Sequence, residues 1–122
     1  MPVIRSGSAE SIALDGVRFT PCSGPASGGS ELAVWLVEFS GGAAGTPHRL
    51  DREEVLHVLS GTLLVELDGS PTEVGAGDTV LIPAGTRIAA GSAGPARALG
   101  CARAGLAATM ADGSVLRPPW AN

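Results

Sequence analysis

The chain has 122 residues, a formal net charge of −4 and eight basic residues, all of them arginines scattered from Arg5 to Arg117. That length fits one domain with a single small core, and the absence of a basic stripe, with few aromatic residues, argues against nucleic acid as a partner. Because the sequence contains no lysine and no tyrosine, catalysis through a lysine Schiff base or a tyrosine acid is excluded.

The sequence carries no sign of a membrane or secreted location. No apolar run approaches the roughly 20 residues needed to cross a bilayer, and the N-terminal segment MPVIRSGSAE has no apolar signal core. We therefore expect a cytoplasmic protein with no membrane partner. The two cysteines, Cys22 and Cys101, are too few for a disulfide framework, and a buried free thiol is expected at each position.

The first third of the chain predicts three strands. Two are weak, over residues 11–14 and 16–19, and a loop rich in glycine and proline follows over residues 21–30. The segment 31–39 is apolar on both faces, which is typical of a strand covered on both sides. In so small a chain, that double cover calls either for a second sheet together with a partner subunit or for a long flap. Of these we expect the partner subunit, and thus a homodimer.

The middle of the chain holds both histidines, in the segment PHRLDREEVLHVLSG at residues 47–61. Successive side chains of a strand point to opposite faces. If this segment is extended, one face carries the titratable groups His48 and Glu54 together with the apolar residues Leu50, Leu56 and Val58. His57, three residues after Glu54, lies on the opposite face and is expected at the surface or at a subunit interface.

The remaining sequence continues the pattern of short strands and turns. Strands are predicted over residues 62–67, 71–74, 79–82, 87–90 and 97–104, followed by a hairpin over residues 109–116. Trp120 is expected to pack back against the strands. Turn signals every eight to twelve residues or so indicate an all-β sandwich or barrel. We predict one domain, residues 1–122, with N-terminal strands and loop (1–30), a barrel core (31–104) and a C-terminal hairpin and tail (105–122).

The segment around the histidines resembles the first motif of the cupin superfamily, G-x5-H-x-H-x3-E-x6-G. Gly42, His48, Glu54 and Gly61 occupy four of its positions. Leu50 stands where the second histidine of the motif belongs.

A second stretch is similar to the other cupin motif, G-x5-P-x-G-x2-H-x3-N. Gly77, Pro83 and Gly85 match it, whereas Ile88 stands at the histidine and Ser92 at the asparagine. Together the two motifs cover the middle of the chain, residues 42–92. The resemblance implies a double-sheet jelly-roll barrel (a double-stranded β-helix), and cupins commonly pair through their sheets.

The resemblance also raises the question of whether this protein binds a metal ion. Metal-dependent cupins hold a divalent ion with three histidines and one glutamate, but here only His48 and Glu54 remain, fewer ligands than a zinc or iron site usually offers. Leu50 and Ile88 would fill the vacated positions with hydrocarbon and disfavour a hydrated ion. We therefore expect no metal and no other cofactor. A metal-dependent enzyme with a reduced ligand set is kept as an alternative.

A largely apolar barrel interior favours a hydrophobic or aromatic small molecule as the ligand. The residues predicted to bind it are Trp35, Leu50, Leu56, Val58, Leu63, Val65, Ile88 and Ala90. His48 and Glu54 are the predicted catalytic pair of a metal-independent isomerase, cyclase, dehydratase or decarboxylase, because burial raises the pKa of a glutamate and histidine exchanges protons near neutral pH. Arg87 or Arg97 would hold an anionic substituent at the rim.

Two other interpretations are open at this point. In the first, the protein is a non-catalytic binding or sensing module, and Glu54 only hydrogen-bonds His48 and stiffens the pocket. In the second, His48 and Glu54 are a buried, satisfied pair left from a metal-binding ancestor, in a barrel whose present role is assembly. A pocket too small for any ligand would favour the second.

Overall fold

A computed structural model describes residues 3–42 and 44–122. Within them lie twelve strands: β1 Ile12–Leu14, β2 Val17–Ser23, β3 Leu32–Phe39, β4 His48–Leu50, β5 Glu54–Ser60, β6 Thr62–Leu67, β7 Ser70–Gly75, β8 Thr79–Ile82, β9 Arg87–Gly91, β10 Ala96–Arg103, β11 Ala108–Met110 and β12 Val115–Leu116. The helices of this part are single 3₁₀ turns at Pro25–Ser27 and Pro119–Ala121. None of its helices is long and apolar enough to span a bilayer.

The strands form two six-stranded antiparallel sheets, which confirms the predicted all-β jelly roll. The first sheet has the order β1-β2-β3-β10-β5-β8 and the second the order β12-β11-β4-β9-β6-β7. Side chains that alternate inward from both sheets fill a single core between them. The N-terminal strands and the C-terminal hairpin belong to these sheets, because β2 pairs with β3 and β11 pairs with β4.

Strand β3 shows how the apolar pattern is used. Its inward side chains are buried against the second sheet, and they are Ala33, Trp35, Val37 and Phe39. On the other face, Val34 and Leu36 are only half-buried. One face of the segment is therefore covered as predicted, and the outer face is left partly open to solvent within the single chain.

Two details of the first sheet differ from the sequence prediction. Strand β2 continues past Phe19 to Ser23, through a register shift opposite β3, so the predicted loop begins later. Cys22 is exposed rather than buried, and Cys101 is half-buried. Cys101 lies on the outer face of β10, since its neighbours Gly100 and Ala102 are the buried positions of that strand.

Gly100 of β10 makes room for a tryptophan. Its register partners are Trp35 on β3 and Leu56 on β5, and a Cβ atom at this position would overlap the indole ring of Trp35. That ring is almost completely buried, so the lack of a side chain at Gly100 lets the indole lie across β10.

We expect Gly100→Ala to destabilise the fold by about 1 to 3 kcal/mol, because the added methyl group forces the Trp35 ring from its place in a packed core. Chemical denaturation followed by tryptophan fluorescence measures the loss. Gly94→Ala is the matched control, since no atom lies within 4 Å of a Cβ built at Gly94. Equal stability of the two variants would contradict the packing assigned to Gly100.

Candidate functional site

One end of the barrel holds a cavity of about 620 Å³. Its inner wall includes the buried residues Trp35, Leu50, Leu56 and Ile88. Exposed lining residues mark its mouth: Leu14, Asp15, Ala44, Thr46, Ser114, Val115 and Leu116. These come from the β1–β2 turn, the loop before β4 and the β11–β12 hairpin. A cavity of this size accommodates an organic small molecule, so the condition that would favour a purely structural role is not met.

The chain has four aromatic residues, and all four line this cavity: Phe19, Trp35, Phe39 and Trp120. The rings of Phe19 and Trp120 are stacked, with centroids 3.8 Å apart and planes 3° from parallel. Trp120 thus packs back on the barrel as predicted, and its single-turn helix closes one wall. An aromatic lining of this kind offers flat apolar faces to a ligand.

Five of the eight predicted binding residues line the cavity: Trp35, Leu50, Leu56, Ile88 and Ala90. The prediction was wrong about the placement of the others, because Val58, Leu63 and Val65 are buried in the core away from the lining. Val58 lies four residues along β5 from Glu54, about 13 Å at the rise of a strand. All three side chains are at most 1% exposed and pack in the hydrophobic core.

The sequence prediction also missed part of the lining. Val37 and Phe39 follow Trp35 at two-residue spacing, so the alternation of β3 was a signal that could have found them. Leu106, Ala108 and Met110 come from the C-terminal segment. No local pattern distinguishes them, since their place depends on the long-range pairing of β11 with β4.

His48 begins β4 and lines the cavity. Its Nδ1 lies 2.8 Å from the carbonyl oxygen of Thr46. A carbonyl can only accept a hydrogen bond, so Nδ1 carries the proton in the neutral ring and Nε2 keeps a free lone pair. The backbone therefore sets the tautomer that leaves Nε2 able to accept a proton.

Glu54 begins β5 and lines the same cavity. Burial raises the pKa of its carboxyl group from 4.5 to about 8, because the surrounding apolar wall disfavours the charged form. Among the described residues, no hydrogen bond or ion pair reaches this carboxyl. Glu54 is thus a carboxylic acid at neutral pH, able to donate a proton into the cavity.

The structure brings His48 and Glu54 into one cavity but does not join them. No hydrogen bond or ion pair between the two side chains is present in residues 3–42 and 44–122. This corrects the expectation that Glu54 hydrogen-bonds His48, both as a stiffening contact and as a satisfied remnant. His57 lies on the outer face, as predicted, with Nδ1 2.8 Å from Oγ1 of Thr79.

The predicted arginine anchors are not at the cavity. Arg97 points to the outer face of the first sheet, with Nε 3.9 Å from Oε2 of Glu38. Arg87 precedes the buried Ile88 on β9 and so faces away from the barrel interior. None of the eight arginines lines the cavity, so the suggestion of an arginine at its rim was wrong.

Comparison with known protein families shows which family the chain belongs to. A family model described as a cupin domain matches residues 35–100, which is more than half of the chain and includes both motif regions from β3 through most of β10. The chain belongs to the cupin family. A search of curated proteins found no significant match.

Solved structures place this cupin among proteins of the same fold. It is similar to KdgF from Halomonas sp., with a TM-score of 0.73 and 21% identity over 84% of this chain and 93% of that one. It is similar to the polyketide cyclase RemF from Streptomyces resistomycificus, with a TM-score of 0.74 and 20% identity over 84% and 79%. A putative ethanolamine utilization protein from Salmonella typhimurium is 29% identical, with a TM-score of 0.68 over 83% and 84%.

The residues of this cupin do not fit the metal site that the family motif implies. No group of three or more histidine, cysteine, aspartate or glutamate side chains in the described part of the chain could hold an ion. Leu50 and Ile88 occupy the two motif positions where histidines are missing and are 3% and 2% exposed. Ile88 is the register partner of His48, so hydrocarbon lies beside the remaining imidazole.

Proposed function

We propose that this cupin binds an apolar or aromatic small molecule in its barrel and moves a proton on it without a metal ion, as an isomerase, cyclase or lyase. One observation carries the proposal: Glu54, protonated at neutral pH, and His48, with a free Nε2, line the same apolar cavity. A proton donor and a proton acceptor that are not bonded to each other are both available to a ligand.

The pair suits enolisation of a carbonyl compound. Nε2 of His48 takes a proton from a carbon next to the carbonyl group, and the carboxyl of Glu54 donates its proton to the carbonyl oxygen, so that a neutral enol forms. The Nδ1–H of His48, bonded to the carbonyl of Thr46, supports the imidazolium that results. The Glu54 carboxylate then takes back the proton of the enol hydroxyl as the carbonyl reforms. Isomerisation results when a conjugated carbon of the enol takes the proton held by His48. Ring closure results when the enol carbon attacks a second carbonyl carbon of the same molecule, whose oxygen takes that proton, and elimination results when a leaving group on the β-carbon departs with it.

The unpaired state of Glu54 favours an active role over a structural one. Its carboxyl group faces the cavity without a protein partner, and an apolar residue at this position of the wall would avoid the cost of holding a carboxyl group in apolar surroundings. Groups with strongly perturbed pKa values that face a cleft are concentrated at functional sites. A non-catalytic binding role is the second candidate, and it draws on the same cavity.

The proposal is tested with β-tetralone, an uncharged aromatic ketone, in deuterium oxide. We expect the wild-type protein to accelerate exchange of the α-protons, as followed by proton NMR, and His48→Ala to reduce the acceleration by about 100-fold or more. Because the acid form of Glu54 is required, the rate should fall as the pH rises above about 8.

His57→Ala is the matched control, since this histidine lies on the outer face of the barrel. It should keep the wild-type exchange rate. Full rates in both His48→Ala and Glu54→Gln would contradict the catalytic assignment. Binding of β-tetralone with no acceleration by the wild type would support the binding module instead.

We also propose that the protein is a homodimer. The outer face of the first sheet presents apolar side chains across four neighbouring strands: Val34, Leu36, Val55, Leu81, Leu99 and Cys101. Beside them, Glu38 is approached by both Arg18 and Arg97, so the edge of this face carries charges of both signs. Two copies can meet there without strong repulsion, and each would cover the other's apolar surface.

Leu99→Glu places a charge at the centre of this face, between Leu36 and His57. We expect the variant to be monomeric by light scattering where the wild type is dimeric, and to remain folded because Leu99 points away from the core. Leu64→Glu, an exposed position on the other sheet, should leave the dimer intact. A monomeric wild type would contradict the proposal.

A further inference from the structure

The side chains around the cavity also bear on the charge of its ligand. Its lining combines the four aromatic rings of the chain with the carboxylate of Asp15, and includes no arginine. Glu54, the other acidic residue of the lining, is uncharged at neutral pH because burial raises its pKa to about 8. The faces of aromatic rings attract organic cations, and a carboxylate at the mouth of a cavity does the same. An anionic ligand would meet no positive partner there unless His48 were protonated.

Asp15 is the charged residue at the mouth. It lies in the turn between β1 and β2, with a φ of 51°, and is exposed. In the part of the chain that the structure describes, its carboxylate has no hydrogen bond or ion pair. The nearest arginine in sequence, Arg18, lies beside Glu38 on the outer face.

Two other arginines that lie near lining residues in the sequence make their hydrogen bonds elsewhere. Arg49 donates to the carbonyl oxygen of Gly85 at 2.8 Å, and Arg52 donates to the carbonyl oxygen of Ala104. Arg117, between the lining residues Leu116 and Pro118, is exposed and is not itself part of the lining, so no arginine within the cavity wall matches the carboxylate of Asp15.

We propose that the ligand is an aromatic or conjugated molecule with a basic amine, and that Asp15 selects it. The ammonium group lies at Asp15, and the apolar body packs between the aromatic walls. The uncharged reacting end of the molecule is then left for His48 and Glu54. This inference rests on the proposed function and adds the class of ligand that the cavity takes.

Three naphthalene probes of similar size separate charge from shape: naphthylmethylamine, naphthylmethanol and naphthoate. By titration calorimetry at neutral pH, we expect the amine to bind about three- to fivefold more tightly than the alcohol, the range expected for an exposed charge pair with aromatic contacts. The carboxylate should bind more weakly than the alcohol. Binding of the alcohol serves as the test that a variant is folded with an intact cavity.

Asp15→Asn should remove the preference for the amine and leave the affinity for the alcohol unchanged. Asp68→Asn is the matched control, because Asp68 has the same turn conformation, with a φ of 50° before Gly69, and does not line the cavity. It should keep the preference.

Equal affinities for all three probes, or an unchanged preference in Asp15→Asn, would overturn the assignment of the ligand class while leaving the cavity function standing. Loss of the preference in Asp68→Asn as well would show that net charge, not Asp15, causes it, and would also overturn the assignment. If no probe binds, the proposed function itself is contradicted.

Discussion

Glu54→Gln should remove a large loss of stability that the wild type suffers between about pH 5 and pH 8. The pKa of the Glu54 carboxyl is raised from 4.5 to about 8 in the folded protein by burial. Between those two values the folded state keeps a proton that the unfolded state has released, so the free energy of unfolding falls as the pH rises. This stabilising contribution is complete below pH 4.5 and is lost by about pH 8.

Each pH unit between the two pKa values contributes about 1.4 kcal/mol, which sets an upper limit on the order of 5 kcal/mol. Because Glu54 is only half-buried as a residue, we expect about 2 to 3 kcal/mol. Urea denaturation of both proteins across this pH range measures the difference. Glu53→Gln is the control, as Glu53 is exposed, and it should follow the wild type. Parallel curves for wild type and Glu54→Gln would contradict the assigned pKa.

The second prediction with a large expected effect concerns the binding of a metal ion. The double variant Leu50→His with Ile88→His should bind one equivalent of Zn²⁺ tightly, whereas we expect the wild type to bind none. Both positions line the cavity with His48 and Glu54, and Ile88 is directly opposite His48 in the sheet. The double variant then offers three imidazoles and a carboxylate, a set sufficient for a zinc site.

Without metal, we expect the double variant to be less stable than the wild type, because two buried hydrocarbon groups become polar. Added Zn²⁺ should raise its melting temperature, since a ligand that binds only the folded state stabilises it. Leu50→Gln with Ile88→Gln is the control and should not respond to metal. If the histidine variant folds and shows no metal-dependent shift, the side chains do not converge as the cavity geometry implies.

Most of the fold could be predicted from the sequence, because local patterns of apolar and turn residues determine its strands and hairpins. An apolar run located β3, alternation of apolar residues located β6, and the turn residues Asp68 and Gly69 located the hairpin between β6 and β7. The matched motif glycines Gly42, Gly61, Gly77 and Gly85 have φ values between 73° and 89°, a conformation that side chains disfavour. The spacing of these glycines therefore reflects backbone geometry, so the motifs can be recognised even though two of the metal-binding histidines are missing.

The site was only partly accessible, because its wall is built by long-range pairing. Alternation placed His48 and Glu54 on one face, and the structure brings both into one cavity. Alternation did not reveal that Nδ1 of His48 forms its hydrogen bond with the carbonyl oxygen of Thr46 and not with Glu54. Nor did it show that Asp15 reaches the mouth, since that depends on how the β1–β2 turn sits relative to the β11–β12 hairpin at the same end of the barrel.

Hydrocarbon side chains at Leu50 and Ile88 in place of metal-binding histidines imply that this cupin holds no transition metal. Elemental analysis of the wild-type protein, produced in metal-supplemented medium and purified without chelator, tests that claim. We predict no transition metal near one equivalent per chain. One equivalent of iron, manganese or zinc that is lost in His48→Ala and Glu54→Gln would contradict the account.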